Sequence, residues 1–362
     1  MISGPARVTG SPPVQASSPL FVISMWRSGS SLLYALLNKH PDVGLMYEAD
    51  LILLRSVFLK PAAFCDWTRR WQFWNQAFER HGLSPAPFNA ARDFPSAFGA
   101  VHQEFARRKG ATIWGDKSPN YYDRLQELAE TFPAARFIVM WRDPLGTINS
   151  IERAAQSGNS YFRRSGAKLR GLLGYEIFKK ECDWLRAHDK PVLEISYEDL
   201  VTDPAVTVRQ VCLFLEIPYN ETLASLAGAD RTAIYEGQHH TLVKGDTIVA
   251  QRRTNAANQQ WRLKVDRYVN LWRRRYAGSW PPHHEFESSE PIMPGLFERL
   301  SDWLQYRILR AYDSFTGFCF ATAPIWMLQH YRTWKLAARP VSPHARPADR
   351  PMHTTSASAK KS

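Results

Sequence analysis

Apolar residues occur along this chain in two arrangements: short unbroken runs, and longer stretches in which they recur every three or four positions. Leu20–Met25 (LFVISM), Phe137–Trp141 (FIVMW) and Val192–Tyr197 (VLEISY) are runs of the first kind, the pattern of strands buried on both faces. Val43–Met46 and Thr112–Gly115 are shorter strand candidates. The second arrangement predicts helices over Ser30–Lys39, with Leu32, Leu33, Leu36 and Leu37 on one side, and over Tyr121–Thr131, Gly146–Ala155, Lys168–Ala187 and Val206–Leu215. Pro41 ends the first of these. Strands alternating with helices at these lengths predict an α/β fold with a mostly parallel central sheet flanked by helices.

Flanking this alternation the chain changes character. Residues 1–18 are rich in Pro, Ser and Gly and read as a disordered leader; they lack the basic start and apolar stretch of a signal peptide. The alternating region runs from 19 to 280 and is expected to form one domain. Within it, Phe58–Phe105 is crowded with Trp, Phe and Arg and is interrupted near Ser84–Pro87. A helical extension is expected over 281–338, with Trp303–Lys335 a helical pair packed on the domain, because aromatic stripes at helical spacing are usually core. Gly317–Leu328, the most apolar late stretch, is too short to span a bilayer and contains Pro324. Residues 339–362 read as a disordered basic tail.

Charge narrows the partners. The formal net charge is +12, of which the segment from Lys335 onward supplies +5 and the rest +7, so the body is basic by itself. Such a surface attracts nucleotide phosphates, nucleic acid, acidic glycans or anionic lipid. The region Trp303–Arg339 interleaves aromatics with Arg and Lys, making it a candidate for peripheral membrane contact; no nucleic-acid motif of known spacing is present, and none is expected as partner. The four cysteines, Cys65, Cys182, Cys212 and Cys319, lie far apart without a CxxC pair and read as buried free thiols in a reducing, cytoplasmic compartment.

Two segments carry candidate chemistry. Met25–Ser31 joins a predicted strand to a predicted helix, where backbone N–H groups and the helix dipole form an anion cradle. Gly29 allows close approach of a phosphate, Ser28, Ser30 and Ser31 add hydroxyls, and Arg27 adds a cation. The arrangement is P-loop-like without being a Walker A loop, since Ser30 stands where its Lys would be. A nucleotide kinase is therefore the alternative, with magnesium-dependent ATP binding as its mark; a non-enzymatic basic protein docking on membrane or nucleic acid is another. The second segment places Arg142 at the end of Phe137–Trp141 and Ser150 eight residues further on, on the following helix, where the two can hold a second phosphate.

Together these segments resemble the PAPS-dependent sulfotransferases, particularly the tyrosylprotein and carbohydrate branches. WRSGSSLL is similar to that family's loop for the 5'-phosphosulfate of 3'-phosphoadenosine-5'-phosphosulfate (PAPS), and FIVMWRDPLGTINS to its 3'-phosphate segment. WGDKSPNYY (Trp114–Tyr122) resembles its Lys-x-Pro segment, and YEDLVTDP (Tyr197–Pro204) with FLEIP (Phe214–Pro218) a block that closes the core. HTLVKGDTIVAQRR (His240–Arg253) resembles a later loop over the 3'-phosphate, with Asp246 in place of the usual Asn and the Arg displaced to Arg252 or Arg253. The likeness runs from about Leu20 to Trp261, with a gap across residues 55–110.

The resemblance implies in-line transfer of a sulfuryl group from PAPS to an acceptor hydroxyl, with no metal. Implied PAPS contacts are Arg27, Ser28, Gly29, Ser30, Ser31, Arg142, Ser150, Tyr197, Gly245 and Arg252. Arg27 and Lys117 are the candidate cations beside the leaving phosphate, and Glu48, one helix and one short strand after the loop, matches the family's general base. Asp50 is the nearest competitor and would share the side of Glu48 in extended backbone. His40 and His240 are the next candidates; His40 reads as a helix C-terminal cation and His239–His240 as a loop pair. Residues 55–110 and 155–175 are expected to shape the acceptor pocket, and their aromatics incline the reading toward carbohydrate.

Overall fold

Five parallel strands form one sheet in the order β2-β3-β1-β4-β5: β1 Leu20–Ser24, β2 Val43–Tyr47, β3 Ile113–Lys117, β4 Arg136–Trp141 and β5 Val192–Ser196. This computed structural model describes residues 18–52, 80–84, 91, 93–157, 159, 161–163, 166–234, 245–248, 259–276 and 292–337. The helices within them are α1 Ser30–Leu37, α2 Phe94–Lys109, α3 Leu125–Thr131, α4 Pro144–Gln156, α5 Ala167–Ala187, α6 Tyr197–Thr202, α7 Pro204–Leu215, α8 Gln259–Arg275, α9 Leu296–Thr322 and α10 Ile325–Ala337. The expected α/β architecture is present.

The sheet is buried on both faces, as a parallel sheet requires. In β1, Phe21 and Ile23 point into a core shared with α2 to α5 and α8, while Leu20 and Val22 point into a second core shared with α1, α6 and α7. Helix starts follow local chemistry. Asp93, Asp143 and Asp203 each accept a first-turn N–H, followed by Pro at the opening of α2, α4 and α7. At Gly44 in β2 a built Cβ would stand 2.6 Å from the backbone of Ala106, so the glycine lets α2 lie close on the strand.

Several expectations need correction. β3 runs on past Gly115 to Lys117, because its charged end is itself buried. The stretch Tyr121–Thr131 divides into a short 3₁₀ turn, Pro119–Tyr121, and α3. Tyr197 does not end a strand; it opens α6, where Ser196 caps the helix by accepting from the Asp199 N–H. The thiols of Cys182 and Cys212 are buried but Cys319 is exposed, and Cys65 lies outside the described residues.

Candidate active site

The carboxyl ends of β1, β3 and β4, and the turn after β2, meet where the strand order reverses on either side of β1, the position at which open α/β sheets take ligands. The β1–α1 loop is wound tightly: the Ser28 N–H donates to the Met25 carbonyl at 3.2 Å, and Arg27 and Gly29 take positive φ of 65° and 93°. A side chain at Gly29 would strike the Tyr197 ring, 2.3 Å from a built Cβ. Ser24 donates to the Ser30 hydroxyl at 2.9 Å. No side chain caps the N-terminus of α1 and no acid lies in its first turn, so its dipole is left to an anion.

Cations converge on this loop. Arg142 donates to the Arg27 carbonyl at 2.6 Å and lies 4.1 Å from the Tyr197 ring centroid; the Arg27 Nε donates to Ser150 Oγ at 3.1 Å. Burial, and next the Arg142 guanidinium, bring Arg27 down to about 10. Arg153, one helical turn beyond Ser150, is pulled down by burial and by Arg142. Asp143 caps α4, accepting from the Leu145 and Gly146 N–H groups. An uncapped helix start among mutually repelling guanidiniums fits a ligand with more than one phosphate.

A second cluster lies on the β2–β3 side. Lys117 Nζ is 2.7 Å from Glu48 Oε1 and 3.1 Å from Ser31 Oγ, and sits 4.0 Å from the centroid of the Tyr47 ring. The Tyr47 hydroxyl lies 2.8 Å from Ser31 Oγ. Lys117 is fully buried, and desolvation lowers its pKa against the opposing pull of Glu48. Glu48 is held by its own N–H, which donates to the Lys117 carbonyl at 2.8 Å.

Glu48 and Asp50 are not on one side of an extended segment. Both adopt positive φ, 50° and 57°, because the buried Asp116 carboxylate accepts the intervening Ala49 N–H at 3.3 Å and curls the backbone. Asp50 turns toward Ser118 and Asn120, accepting from both, and Asn120 in turn accepts from the Trp26 indole at 2.9 Å. Burial first, then the charges of Glu48 and Asp116, raise Asp50 to about 7. Burial would raise Asp116 as well, but His102 and the Tyr121 hydroxyl at 2.6 Å hold it below the ordinary value.

The structure thus brings Arg27, Ser28, Gly29, Ser30, Ser31, Glu48, Lys117, Arg142, Ser150 and Tyr197 around one end of the sheet. Gly245 stands exposed, a Cβ there would meet nothing within 4 Å, and its neighbour Asp246 pairs with Arg231 at 2.8 Å. Arg252, Arg253, His239 and His240 lie outside the described residues. His40 is excluded as a base, since its ring is spent on the Pro218 carbonyl and the Asp42 N–H. Tyr47, Asp116 and Arg153 were missed; only Arg153 left a trace, at the i+3 spacing from Ser150.

The model of the Sulfotransferase family matches residues 19–221, more than half of the chain. The chain belongs to this family. It is 26% identical over 206 residues to protein-tyrosine sulfotransferase A of Caenorhabditis elegans, a match covering 56% of this chain and 50% of that one. To protein-tyrosine sulfotransferase 1 of Danio rerio it is 28% identical over 209 residues, covering 56% and 54%. It thus spans about half the length of these curated relatives. Among solved structures, the sulfotransferase domain of the Synechococcus PCC 7002 olefin synthase aligns with TM-score 0.45 and 20% identity, covering 68% of this chain and 88% of that one.

Proposed function

We propose that this protein transfers the sulfuryl group of PAPS to a phenolic hydroxyl of the tyrosine type, with Glu48 as general base. The observation that carries the reading is the chain Glu48–Lys117–Ser31, in which a carboxylate open to the cleft is joined through one buried cation to the anion-binding loop. PAPS supplies the sulfuryl group and a phosphate leaving group. Glu48 takes the acceptor proton as the acceptor oxygen bonds to sulfur and the bond from sulfur to the bridging phosphate oxygen breaks. Lys117 and Arg27 neutralise the charge that grows on the departing oxygen. Arg142, Ser150 and Arg153 hold the distal phosphate, and the Tyr197 ring closes over the loop at Gly29. As charge grows on the departing oxygen, Lys117 would shift its bond from Glu48 toward that oxygen, leaving Glu48 to take the proton.

A phenol suits a carboxylate base better than a sugar alcohol, because its ordinary pKa of about 10 needs less help. The relatives the chain matches, which are protein-tyrosine sulfotransferases, agree with this reading. The carbohydrate expectation rested on aromatics that fall largely in 55–110, mostly outside the described residues. A panel of a tyrosyl peptide, simple phenols and oligosaccharides, incubated with sulfur-labelled PAPS, tests the proposal. Label in the peptide is expected; label only in sugars overturns the acceptor, and label in none, with magnesium-dependent ATP binding, favours the kinase alternative.

A further inference from the structure

Helix α9 is turned the wrong way for a soluble protein. Its polar side faces the domain: Asp302 accepts from Lys264 at 2.6 Å and from the Tyr268 hydroxyl at 2.9 Å, and the Tyr306 hydroxyl meets that of Tyr122 at 3.0 Å. Glu298 pairs with Arg267, Arg310 with Asp123 and Asp313 with Arg170. Its apolar side faces outward. Phe297 (85% exposed), Leu300, Leu304, Ile308 (61%), Tyr312, Phe315 (64%) and Phe318 recur at three and four residues, a stripe about 32 Å long at 1.5 Å per residue. Trp303 borders it, and on α10 Trp326 and Trp334 are also exposed. The expectation of a helical pair packed on the domain through its aromatics is thus corrected for α9: it is anchored through ion pairs and hydrogen bonds, while most of its large apolar side chains stay outside.

We propose that this outward face docks the protein on a membrane surface that carries anionic lipid. Charge selects the occupant. Residues 296–337 contain three acids, Glu298, Asp302 and Asp313, and each is bound to a cation of the domain. Of the basic residues, Arg310 is bound to Asp123 of the domain, while Arg307 is exposed with its guanidinium 5.5 Å from the Trp303 ring centroid; Arg299 precedes it in α9, and the sequence of α10 contains Arg332 and Lys335 and no acid. The chain from Lys335 onward adds +5. A second copy laid on the same face would oppose Arg with Arg and offer no carboxylate, whereas a bilayer surface answers both the apolar stripe and its basic rim. Exposed Trp and Tyr beside the stripe suit the headgroup boundary. No described helix is long and apolar enough to cross a membrane, so the contact is one that lies on the surface.

Flotation of the full chain with vesicles decides the matter. Vesicles of phosphatidylcholine containing about one-third phosphatidylglycerol should carry the protein up the gradient, and pure phosphatidylcholine should bind about tenfold or more weakly. Leu304→Glu, Ile308→Glu and Phe315→Glu combined should abolish flotation while thermal unfolding stays that of wild type. If the triple variant unfolds early, Arg307→Glu serves instead, and binding to the anionic vesicles should fall about tenfold. Wild-type protein that stays at the bottom with both vesicles overturns the proposal. So does a variant that floats like wild type. A lipid-free dimer in ultracentrifugation that the triple variant dissociates would assign the face to a second copy and equally overturn it.

Discussion

The two sides of the sheet's carboxyl edge manage charge in opposite ways. On the β1–β4 side Arg27, Arg142 and Arg153 crowd one another, and Arg27 is pulled down by burial and by that crowding. On the β2–β3 side Glu48, Asp116 and Lys117 are each matched by a neighbour of opposite or complementary character. The first side gathers like charge; the second sets opposite charges together. Under the proposed function, anion binding and proton transfer would fall to different sides of one cleft, with Lys117–Ser31 as the link between them.

The comparison breaks most decisively at Glu48. Glu48→Gln keeps size and a hydrogen bond from Lys117 but removes basicity, so turnover should fall about 10²–10⁴-fold. Calorimetric affinity for 3'-phosphoadenosine-5'-phosphate should stay near wild type; equal loss of both would dissolve the division between the two sides. If Glu48→Gln turns over normally and Asp50→Asn does not, the base is Asp50.

Arg142→Ala acts on the other side. It should weaken the bisphosphate about tenfold to a hundredfold, the scale of a charge-assisted hydrogen bond, and AMP much less. Equal weakening of both ligands would remove Arg142 from the distal phosphate. Gly29→Ala forces a side chain into a φ of 93° and against Tyr197, and should lower stability by about 1–3 kcal/mol together with nucleotide affinity. An unchanged melting temperature would mean that the loop is not held as described.

The smallest effect concerns pH. Asp50 has a folded value of about 7, above its unfolded 3.8, so it favours the folded state fully below about pH 4. That contribution is lost as pH rises through about 7. Denaturant unfolding across this window should therefore show a falling component in wild type that Asp50→Asn lacks, of the order of a few kcal/mol at most. Parallel profiles in the two proteins would show that the buried setting of Asp50 does not shift its titration.

The chain declared some of this in advance and withheld the rest for physical reasons. The anion-binding loop and the Arg142–Ser150 segment are contiguous, and each sits between a plainly apolar strand and a helix, so local pattern sufficed. The Glu48–Lys117 ion pair, the proposed catalytic pair, needed the register that sets Tyr47 opposite Lys117, which no local pattern contains. Asp116 and Lys117 read as the end of a strand because charge usually marks a surface, yet both are buried against His102, Tyr121 and Glu48. The curl at Glu48 and Asp50 came from a long-range bond to Asp116. In α9 the period of the apolar stripe was readable, but periodicity says nothing about which side a domain covers.

The register of β2 on β3 has an evolutionary consequence. Glu48 and Lys117 leave adjacent parallel strands at the same level, so the distance between them is set by ladder hydrogen bonds. The chain that joins those strands returns to this end of β2 at Arg80, which donates to the Glu48 carbonyl, and at His81, which accepts from the Tyr47 N–H. A lineage that kept these contacts could exchange other parts of that connection, and with them the kind of molecule admitted to the cleft, while Glu48 and Lys117 kept their spacing. The sheet works as a fixed socket, and the crossover as an interchangeable fitting.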